Sequence, residues 1–291
     1  MYKSILLGFL LVLLVGCGSS DQKEKERHHI VDGTEAVGDF VDGKREGFWT
    51  YYYDTGEKRS EGNFENDLSY GEWSFWYQNG NLEEVSNWVD DKVHGDIKYY
   101  YESGQLDFEG KYDMGKATGR WTYYHENGEI SATGKYKNDL KDGKWTWYYD
   151  NGNTMEVSFY VDSVLQGETT GWHENGQMSW KGTYRDHLPD GKWTYWHDNG
   201  ALEEEINWNF GAQVGFSTAY HENGEISYKG DYDSNGWRQG IHAWYFDNRQ
   251  LEVSGKYIDD LEQGEFRYYK KNGDLDRIEV YKDGELVNGN Q

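Results

Sequence analysis

The chain has 291 residues, enough for one large domain or two ordinary ones, and its formal net charge is −24. This charge excludes nucleic acid as a partner, because phosphate backbones are bound through Lys and Arg, and it disfavours direct contact with anionic lipid. We interpret the acidic surface as solubilising, with recruitment of a basic partner as the alternative. Aromatic residues make up 18% of the chain, beside 37 glycines and 1 proline, a composition that favours an all-β protein with glycine at its turns.

Residues 1–16 are predicted to form a signal peptide. Lys3 precedes an apolar run from Ile5 to Val15, which is too short to span a bilayer and is typical of a secretion signal. The motif Leu14-Val15-Gly16-Cys17 resembles the lipobox of bacterial lipoproteins, and this resemblance implies cleavage before Cys17 and acylation of that residue. We therefore expect lipidated Cys17 to anchor the mature chain in the bacterial cell envelope, at the outer membrane. A transmembrane anchor is the alternative.

Residues 17–36 are predicted to be a flexible tether. The segment is polar and charged, with the sequence Asp-Gln-Lys-Glu-Lys-Glu-Arg at residues 21–27, and it cannot bury enough apolar surface to order itself. His28 and His29 lie within this segment, and we interpret them as solvated residues rather than as a metal site.

Residues 37–287 are predicted to be an array of ten repeats, followed by a short tail at residues 288–291. The repeats begin at glycines spaced 24 residues apart, except for 25 between the eighth and the ninth: Gly47, Gly71, Gly95, Gly119, Gly143, Gly167, Gly191, Gly215, Gly240 and Gly264. A half-copy at Gly38–Gly43 precedes them. A fixed period of this length indicates an array of equivalent supersecondary units, each in contact with its neighbours.

Each repeat is predicted to be a β-hairpin. Counted from the repeat glycine as position 1, Gly119–Tyr136 has an aromatic and threonine-rich run, Asn-Gly at positions 9 and 10, and a second run ending in an aromatic residue at position 18. Asn-Gly between two β-prone runs predicts a two-residue type I′ turn. Asn248-Arg249 is the exception, where Arg249 adopts a positive φ or the turn changes type.

The connections between repeats, such as residues 137–142, are predicted to be polar loops of about six residues. They are too short for a crossover helix, so all neighbouring strands are expected to be antiparallel. The predicted fold is an extended single antiparallel meander sheet of about ten hairpins and twenty strands.

The type I′ turn would also fix the register of each hairpin, with position 3 facing position 16, 5 facing 14, and 7 facing 12. A large ring at position 3 is then expected to cover a small residue at position 16. The expected pairs are Trp49 with Gly62, Trp121 with Gly134, Trp73 with Ser86, and Trp145 with Ser158, while Trp193 faces Ile206. Positions 3, 5, 7, 12 and 18 are predicted to form the buried face.

The opposite face carries an aromatic residue at position 6 of every repeat. We predict that this row binds the partner, because Tyr and Trp are the preferred residues of binding hot spots. The row consists of Tyr52, Trp76, Tyr100, Tyr124, Tyr148, Trp172, Trp196, Tyr220, Tyr245 and Tyr269.

The pattern of Gly119–Tyr136 and its sibling repeats resembles the bacterial variant of the MORN (membrane occupation and recognition nexus) repeat, over residues 38–287. The resemblance implies an extended antiparallel β-sheet that serves as a scaffold or interaction surface, with no catalytic residues. Some bacterial members are YwqK-family antitoxins, which implies toxin binding. Eukaryotic relatives are linked to membranes and phosphoinositides.

Three groups of polar residues are candidates for chemical sites. His125, His173, His197 and His221 share position 7, but equivalent positions lie about 9.6 Å apart, too far to share one zinc ion, so we expect histidine to replace tyrosine there. Residues 231–236 match the first half of a calcium loop but lack its final glutamate, so a longer turn is expected. Acids at position 8, which include Asp54 and Glu126, are attributed to turn chemistry and solubility.

We therefore expect no metal, no cofactor and no enzymatic activity. The predicted function is a membrane-anchored scaffold that binds a protein or peptide at the cell envelope, a basic one if the acidic surface recruits it. The alternatives are binding of an envelope polysaccharide through the aromatic row, and an antitoxin or immunity role. The membrane is expected to be contacted only through the lipid anchor.

Overall fold

The computed structural model describes residues 26–29 and 35–290 of the chain. The predicted signal peptide and Cys17 lie outside the described residues. The described part is composed of β-strands and turns, and it contains no helix that could cross a membrane. Every strand pair is antiparallel, as in the first hairpins. The prediction of an all-β protein built from tandem hairpins is confirmed.

The chain divides into two compact bodies, Met1–Leu140 and Lys141–Gln291. Strands of the N-terminal body are β1 Glu26–His29, β2 Glu35–Val41, β3 Lys44–Tyr52, β4 Lys58–Glu65, β5 Leu68–Trp76, β6 Leu82–Val89, β7 Lys92–Tyr100, β8 Leu106–Asp113, β9 Lys116–Tyr124 and β10 Ile130–Lys137. The two-residue β11, Leu140–Lys141, lies at the boundary. Strands of the C-terminal body are β12 Gly143–Tyr148, β13 Thr154–Val161, β14 Val164–Leu165, β15 Gly167–Trp172, β16 Met178–Arg185, β17 Leu188–Pro189, β18 Gly191–Trp196, β19 Leu202–Asn209, β20 Ala212–Tyr220, β21 Ile226–Tyr232, β22 Arg238–Tyr245, β23 Leu251–Ile258, β24 Leu261–Tyr269, β25 Leu275–Lys282 and β26 Glu285–Asn290.

The described residues form 26 strands, more than the twenty expected from ten hairpins. The two-residue strands β11, β14 and β17 are the beginnings of first strands whose ladder is interrupted by one residue. The strands β1, β2 and β26 lie outside the ten hairpins. Strand β1 falls within the segment predicted as a tether and pairs with β2, and β26 continues past residue 287 to Asn290, so the sheet extends beyond both predicted limits of the array.

The turn at each Asn-Gly sequence is not the type I′ turn that the sequence suggested. In the second repeat the Tyr77 amide donates to the Asn81 carbonyl (2.9 Å), and the Gly80 amide donates to the Tyr77 carbonyl (2.9 Å). Gly80 has a φ of 87°, whereas Asn79 does not have a positive φ. This geometry is a type I turn followed by one left-handed residue, which gives a three-residue loop with a bulge.

Type I′ turns occur instead at the connections between repeats. Strands β4 and β5 are joined by Asn66 and Asp67, with φ angles of 52° and 71°, and strands β10 and β11 by Asn138 and Asp139, with 52° and 69°. Positive φ at both central residues defines this turn, and its twist matches that of the flanking strands. The prediction of six-residue polar loops was therefore wrong, because the strands continue up to a two-residue turn.

The predicted register holds in the middle of each hairpin and fails beside the turn. All five predicted partners of position 3 are correct: Trp49 with Gly62, Trp73 with Ser86, Trp121 with Gly134, Trp145 with Ser158, and Trp193 with Ile206. Nearer the turn, position 13 bulges and position 6 pairs with position 12, as Trp76 does with Leu82. The two bulges offset each other, so only the residues between them change partners.

Position 3 forms the centre of the buried face. Its side chain is buried in all ten repeats, and Trp49, Trp145 and His242 are 2%, 1% and 0% exposed. Several of these rings meet the aromatic ring at position 18 of the preceding repeat edge-on, as Trp73 meets Phe64 at 4.9 Å and 78°. Burial at positions 3, 5 and 18 is thus confirmed, with complete burial at position 3 and partial burial at most of the other two.

For several position-3 rings, the residue that the ring covers differs from the prediction. The indole of Trp73 lies over Gly62 of the preceding repeat, and that of Trp49 lies over Gly38. A Cβ at either glycine would overlap the ring. Trp121 likewise covers Gly110. The ring therefore leans across the neighbouring repeat rather than over its own cross-strand partner, and this packing joins consecutive repeats.

Candidate functional site

The outer face of the sheet carries the predicted aromatic row. Because position 6 pairs with position 12, the residues at position 12 lie on this face, and their predicted place on the buried face was wrong. Eight of them are aliphatic: Leu82, Leu106, Ile130, Met178, Leu202, Ile226, Leu251 and Leu275. We call the residues at positions 6 and 12 together the outer stripe. The stripe alternates aromatic and aliphatic side chains from one strand to the next.

Every aromatic residue of the outer stripe is partly exposed. Tyr52, Trp76, Tyr100 and Tyr124 in the N-terminal body, and Tyr148, Trp172, Trp196, Tyr220, Tyr245 and Tyr269 in the C-terminal body, are all of intermediate exposure. Some aliphatic members, such as Leu275 at 51%, are exposed. The structure thus places all ten predicted residues in equivalent positions on one face of their hairpins.

In seven repeats, the side chain at position 7 contacts a backbone carbonyl of the next repeat. The hydroxyl groups of Tyr53, Tyr77, Tyr101 and Tyr149 donate to the position-6 carbonyl of the following repeat at 2.6–2.7 Å. The Nε2 atoms of His173, His197 and His221 contact the same carbonyl at 2.7–2.9 Å. A carbonyl accepts, so these nitrogens carry the proton. Histidine therefore replaces tyrosine at this position, as predicted, and the structure shows that it does so as a donor. Among the described residues, no three His, Cys, Asp or Glu side chains converge on a metal position.

The residues of the partial calcium motif form a turn. The Asp233 amide donates to the Trp237 carbonyl (2.9 Å), and Gly236 has a φ of 87°. The Asp233 carboxylate accepts the amides of Asn235 and Trp237 at 2.8 and 3.0 Å, and these backbone hydrogen bonds lower its pKa. The extra residue before the ninth repeat thus converts a two-residue connection into a longer turn, as predicted.

A buried histidine at position 3 of the ninth repeat was not singled out from the sequence. His242 Nε2 lies 3.0 Å from the Asp231 carbonyl, and Nδ1 lies 2.6 Å from the Tyr228 hydroxyl, which also contacts the Tyr232 hydroxyl at 2.9 Å. Burial lowers the pKa of His242. Because the carbonyl requires a donor, Nε2 carries the proton and Nδ1 accepts from Tyr228. The signal for this residue was the departure from tryptophan at a position where the other repeats are hydrophobic or small.

A cation two residues before the repeat glycine was also missed. This place is occupied by Arg45, Lys141 and Arg238 in three cases. Each of them lies over an aromatic ring, as Arg45 does over Phe64 at 3.8 Å. Such contacts stabilise by roughly 0.5–1 kcal/mol when exposed. Comparison of equivalent positions among the repeats would have revealed these cations.

Similarity to solved structures is low. The TcdB2–TccC3–Cdc42 complex is 11% identical with a TM-score of 0.20, covering 89% of this chain and 17% of that chain. The Tc holotoxin pore of Photorhabdus luminescens is 10% identical with a TM-score of 0.19, covering 90% and 17%. The GtfA/B complex bound to UDP and GlcNAc is 14% identical with a TM-score of 0.15, covering 58% and 28%. This chain spans less than a third of the length of these chains, and no conclusion about function follows. No curated protein matches the sequence.

Six stretches of the chain match a family described as the MORN repeat variant. They are residues 45–66, 70–90, 93–114, 117–138, 141–162 and 189–209. Each stretch begins one or two residues after the start of a first strand and covers one hairpin, so the family repeat has the same length and phase as the structural repeat. The resemblance to the MORN repeat variant is thereby confirmed for these six stretches, and this chain is a MORN-repeat protein.

Proposed function

We propose that this protein is a lipid-anchored scaffold of the bacterial cell envelope, without enzymatic activity, whose outer stripe binds a protein or peptide partner. MORN repeats commonly mediate interactions with proteins or membranes. The observation that carries the proposal is the occurrence of a partly exposed aromatic residue at position 6 in all ten repeats. A buried structural role alone would place these rings inside the protein, as it does at position 3.

The chemistry of the stripe favours a protein or peptide as the partner. Its aromatic rings offer large, rigid contact areas with little loss of side-chain entropy, and Tyr and Trp are enriched in binding hot spots. Cross-strand ion pairs flank the stripe, such as Lys192 with Glu205 and Lys181 with Glu168 at 3.0 Å. The net charge of −24 favours a partner of basic character.

Capture from envelope extract tests the binding role. The bait is the full-length chain, and the test variant carries Trp172→Ser, Trp196→Ser and Tyr220→Ser in the outer stripe. The matched control carries Thr170→Ser, Thr194→Ser and Thr218→Ser at position 4 of the same repeats, on the same face. We expect a protein captured by the parent and the control but lost with the test variant, and captured less at high salt.

Two outcomes would contradict this role. Equal capture by all three baits would show that the stripe does not bind the protein. Binding of purified envelope polysaccharide in place of protein, lost in the same test variant, would favour the glycan alternative.

The anchor is tested separately through Cys17. A Cys17→Ser variant removes the acylated residue, and we expect the protein to move from the membrane fraction to the soluble fraction. Retention in the membrane fraction after a high-salt wash would contradict lipid anchoring through this residue. This result would leave the binding role of the stripe to be judged by the capture experiment.

A further inference from the structure

Three repeats hold one of the chain's own cations against aromatic rings. The Lys141 ammonium lies 4.5 Å from the ring of Trp145, 5.1 Å from that of Trp147, and 5.2 Å from that of Tyr160. These rings occupy positions 3, 5 and 18 of the fifth repeat. Several rings around one ammonium form an aromatic cage, which attracts positive charge through the ring quadrupoles.

The two arginines use rings of the same set. The Arg45 guanidinium lies 3.8 Å from the Phe64 ring and donates to the Tyr51 hydroxyl at 3.3 Å. The Arg238 guanidinium lies 3.9 Å from the Tyr257 ring. Phe64 and Tyr257 occupy position 18 of their repeats, and Tyr51 occupies position 5. The place beside positions 5 and 18 is thus a recurring cation position of the buried face.

The tenth repeat has the rings but lacks the cation. Phe266, Tyr268 and Tyr281 stand at positions 3, 5 and 18, and the residue equivalent to Lys141 is Glu262. A cleft of about 230 Å³ opens between these residues, and Trp244 also lines it. Glu262 is the one acidic residue among the ten residues at this position, Lys141 included. Compared with the fifth repeat, the tenth therefore lacks the positive charge of Lys141 among its rings and has a carboxylate beside them.

We propose that this tenth-repeat cleft binds an organic ammonium cation, with the aromatic rings contacting its apolar surface and the Glu262 carboxylate neutralising its charge. The inference is independent of the outer stripe, because the cleft is built from positions of the buried face. Its basis is internal to the chain: the same three positions, with a cation supplied by the chain, enclose the Lys141 ammonium.

Two further cations of the chain lie near the cleft. The Arg238 guanidinium lies 3.9 Å from the ring of Tyr257, which lines the cleft, and its charge is offset by Asp260 at 2.8 Å. The Arg277 guanidinium stacks on the Tyr268 ring at 3.7 Å. Its charge is offset by Glu279 at 2.9 Å and by Asp276 at 3.2 Å, and Arg277 does not line the cleft. The residues that do line it carry one formal charge, that of Glu262. The electrostatic preference of the cleft is therefore for a cation.

The same positions of the fifth repeat hold the primary ammonium of Lys141, but the lining of the tenth-repeat cleft favours a methylated ammonium as a free ligand. A primary ammonium has three N–H donors that require acceptors, whereas a quaternary ammonium has none and is recognised by aromatic faces. The Glu262 carboxylate is the one charged acceptor among the residues that line the cleft, and it cannot satisfy three N–H donors alone. The cleft volume is below the roughly 300–1,000 Å³ of pockets for drug-sized ligands, so the ligand is a small head group such as that of choline.

Calorimetric titration of the full-length chain tests the proposal, in a detergent without ammonium groups. The probes are choline, its uncharged isostere 3,3-dimethylbutan-1-ol, and n-butylammonium. We expect choline to bind at least tenfold more tightly than the isostere, and more tightly than n-butylammonium. Equal binding of choline and the uncharged isostere would overturn the proposal, and so would the absence of choline binding.

The Glu262→Lys variant locates the site. A lysine at this place is native in the fifth repeat, where the fold accommodates it, and its ammonium is expected to fill the cage as Lys141 does. Choline affinity should fall at least tenfold, and it should fall less in Glu262→Gln, which removes the charge but adds no competitor. Parental choline affinity in Glu262→Lys would overturn the assignment. Unfolding curves of both variants, matching the parent, confirm that the fold is intact.

Discussion

The second and the ninth repeats form the same hairpin with different residues at its buried centre and at its turn. Position 3 is Trp73 in the second and His242 in the ninth, at 5% and 0% exposure. Position 10 is Gly80 in the second and Arg249 in the ninth. The second repeat follows a two-residue turn, whereas the ninth follows the longer turn at residues 233–237. Nevertheless, both hairpins keep the same register, with position 3 opposite position 16.

A shared hydrogen bond explains why such different rings are accepted. The Trp73 Nε1 donates to the Asn63 carbonyl at 3.2 Å, and the His242 Nε2 donates to the Asp231 carbonyl at 3.0 Å. Both carbonyls belong to position 17 of the preceding repeat. Both rings also lie over a position-16 glycine, Gly62 or Gly230. In these two repeats, the backbone therefore accommodates either tryptophan or histidine as a flat ring with one donor.

Removal of the ring in the second repeat should have the largest effect on stability. Trp73→Ala leaves a cavity beside Phe64 and should lower the free energy of unfolding by roughly 3–5 kcal/mol. Trp76→Ala in the same strand removes a partly exposed ring of the outer stripe and should cost clearly less. Chemical denaturation of the two variants gives the comparison. Equal losses would show that the two faces contribute alike to the core.

A substitution of the glycine under the ring should have the second-largest effect on stability. Gly62→Ala places a Cβ where the Trp73 indole lies, and overpacking of this kind costs roughly 1–3 kcal/mol. Asn63→Ala, in the same strand, keeps the carbonyl that accepts from Trp73 and should change stability by less than about 0.5 kcal/mol. Denaturation midpoints of the two variants test this. A neutral Gly62→Ala would mean that the ring moves aside freely.

The middle of each hairpin could be predicted from the sequence, but the turns could not. Trp49 and Gly62 are partners whether one bulged turn or one plain turn joins their strands, because a second bulge at position 13 restores the register. Asn-Gly is compatible with both turn types, since each requires a positive φ at glycine. Pairs such as Asn66-Asp67 also favour positive φ. The sequence therefore did indicate the type I′ turns between repeats, but less strongly than Asn-Gly indicated one within each repeat.

Some parts of the candidate sites could likewise be predicted from the sequence, and others could not. Position 6 could be placed on one face because strict alternation and a constant period fix it. Position 12 was misplaced because a bulge exchanges the faces of the residues beside it. The tenth-repeat cleft could not be predicted, since it depends on which repeat contributes each ring. Glu262 follows Tyr257 by five residues in sequence, but only the packing brings both beside Phe266.

A pH dependence should distinguish the ninth repeat from the second. Burial lowers the folded-state pKa of His242 below its ordinary value of about 6.5. In the window between the folded pKa and about 6.5, the unfolded chain binds a proton that the folded chain does not, so stability is lost as pH falls. Above that window the contribution of His242 is constant.

The measurement is the denaturation midpoint between pH 7.5 and pH 5. We expect a steeper fall for the parent than for His242→Phe, a substitution chosen because Phe266 occupies the same position of the next repeat. The difference between the two curves isolates His242 from the other titrating groups. Parallel curves would mean that the buried imidazole takes up its proton as readily in the folded protein as in the unfolded one.

The smallest expected effect concerns the turn of the ninth repeat. Arg249 has a φ of 72°, a left-handed conformation that costs a residue with a side chain energy and costs glycine almost none. Arg249→Gly also removes an ion pair with Glu225 at 2.6 Å, but this pair is exposed and screened by solvent. The relief of strain should dominate, and Tm should rise by about 1–2 °C.

The reverse exchange in the second repeat supplies the control. Gly80 has a φ of 87°, so Gly80→Arg introduces the same strain without Glu225 in reach and should lower Tm by more than Arg249→Gly raises it. Glu225→Gln in the parent removes the ion pair alone and should leave Tm nearly unchanged. If Arg249→Gly lowers Tm instead, the ion pair outweighs the strain, and the ninth repeat keeps arginine because this contact links it to the turn of the eighth.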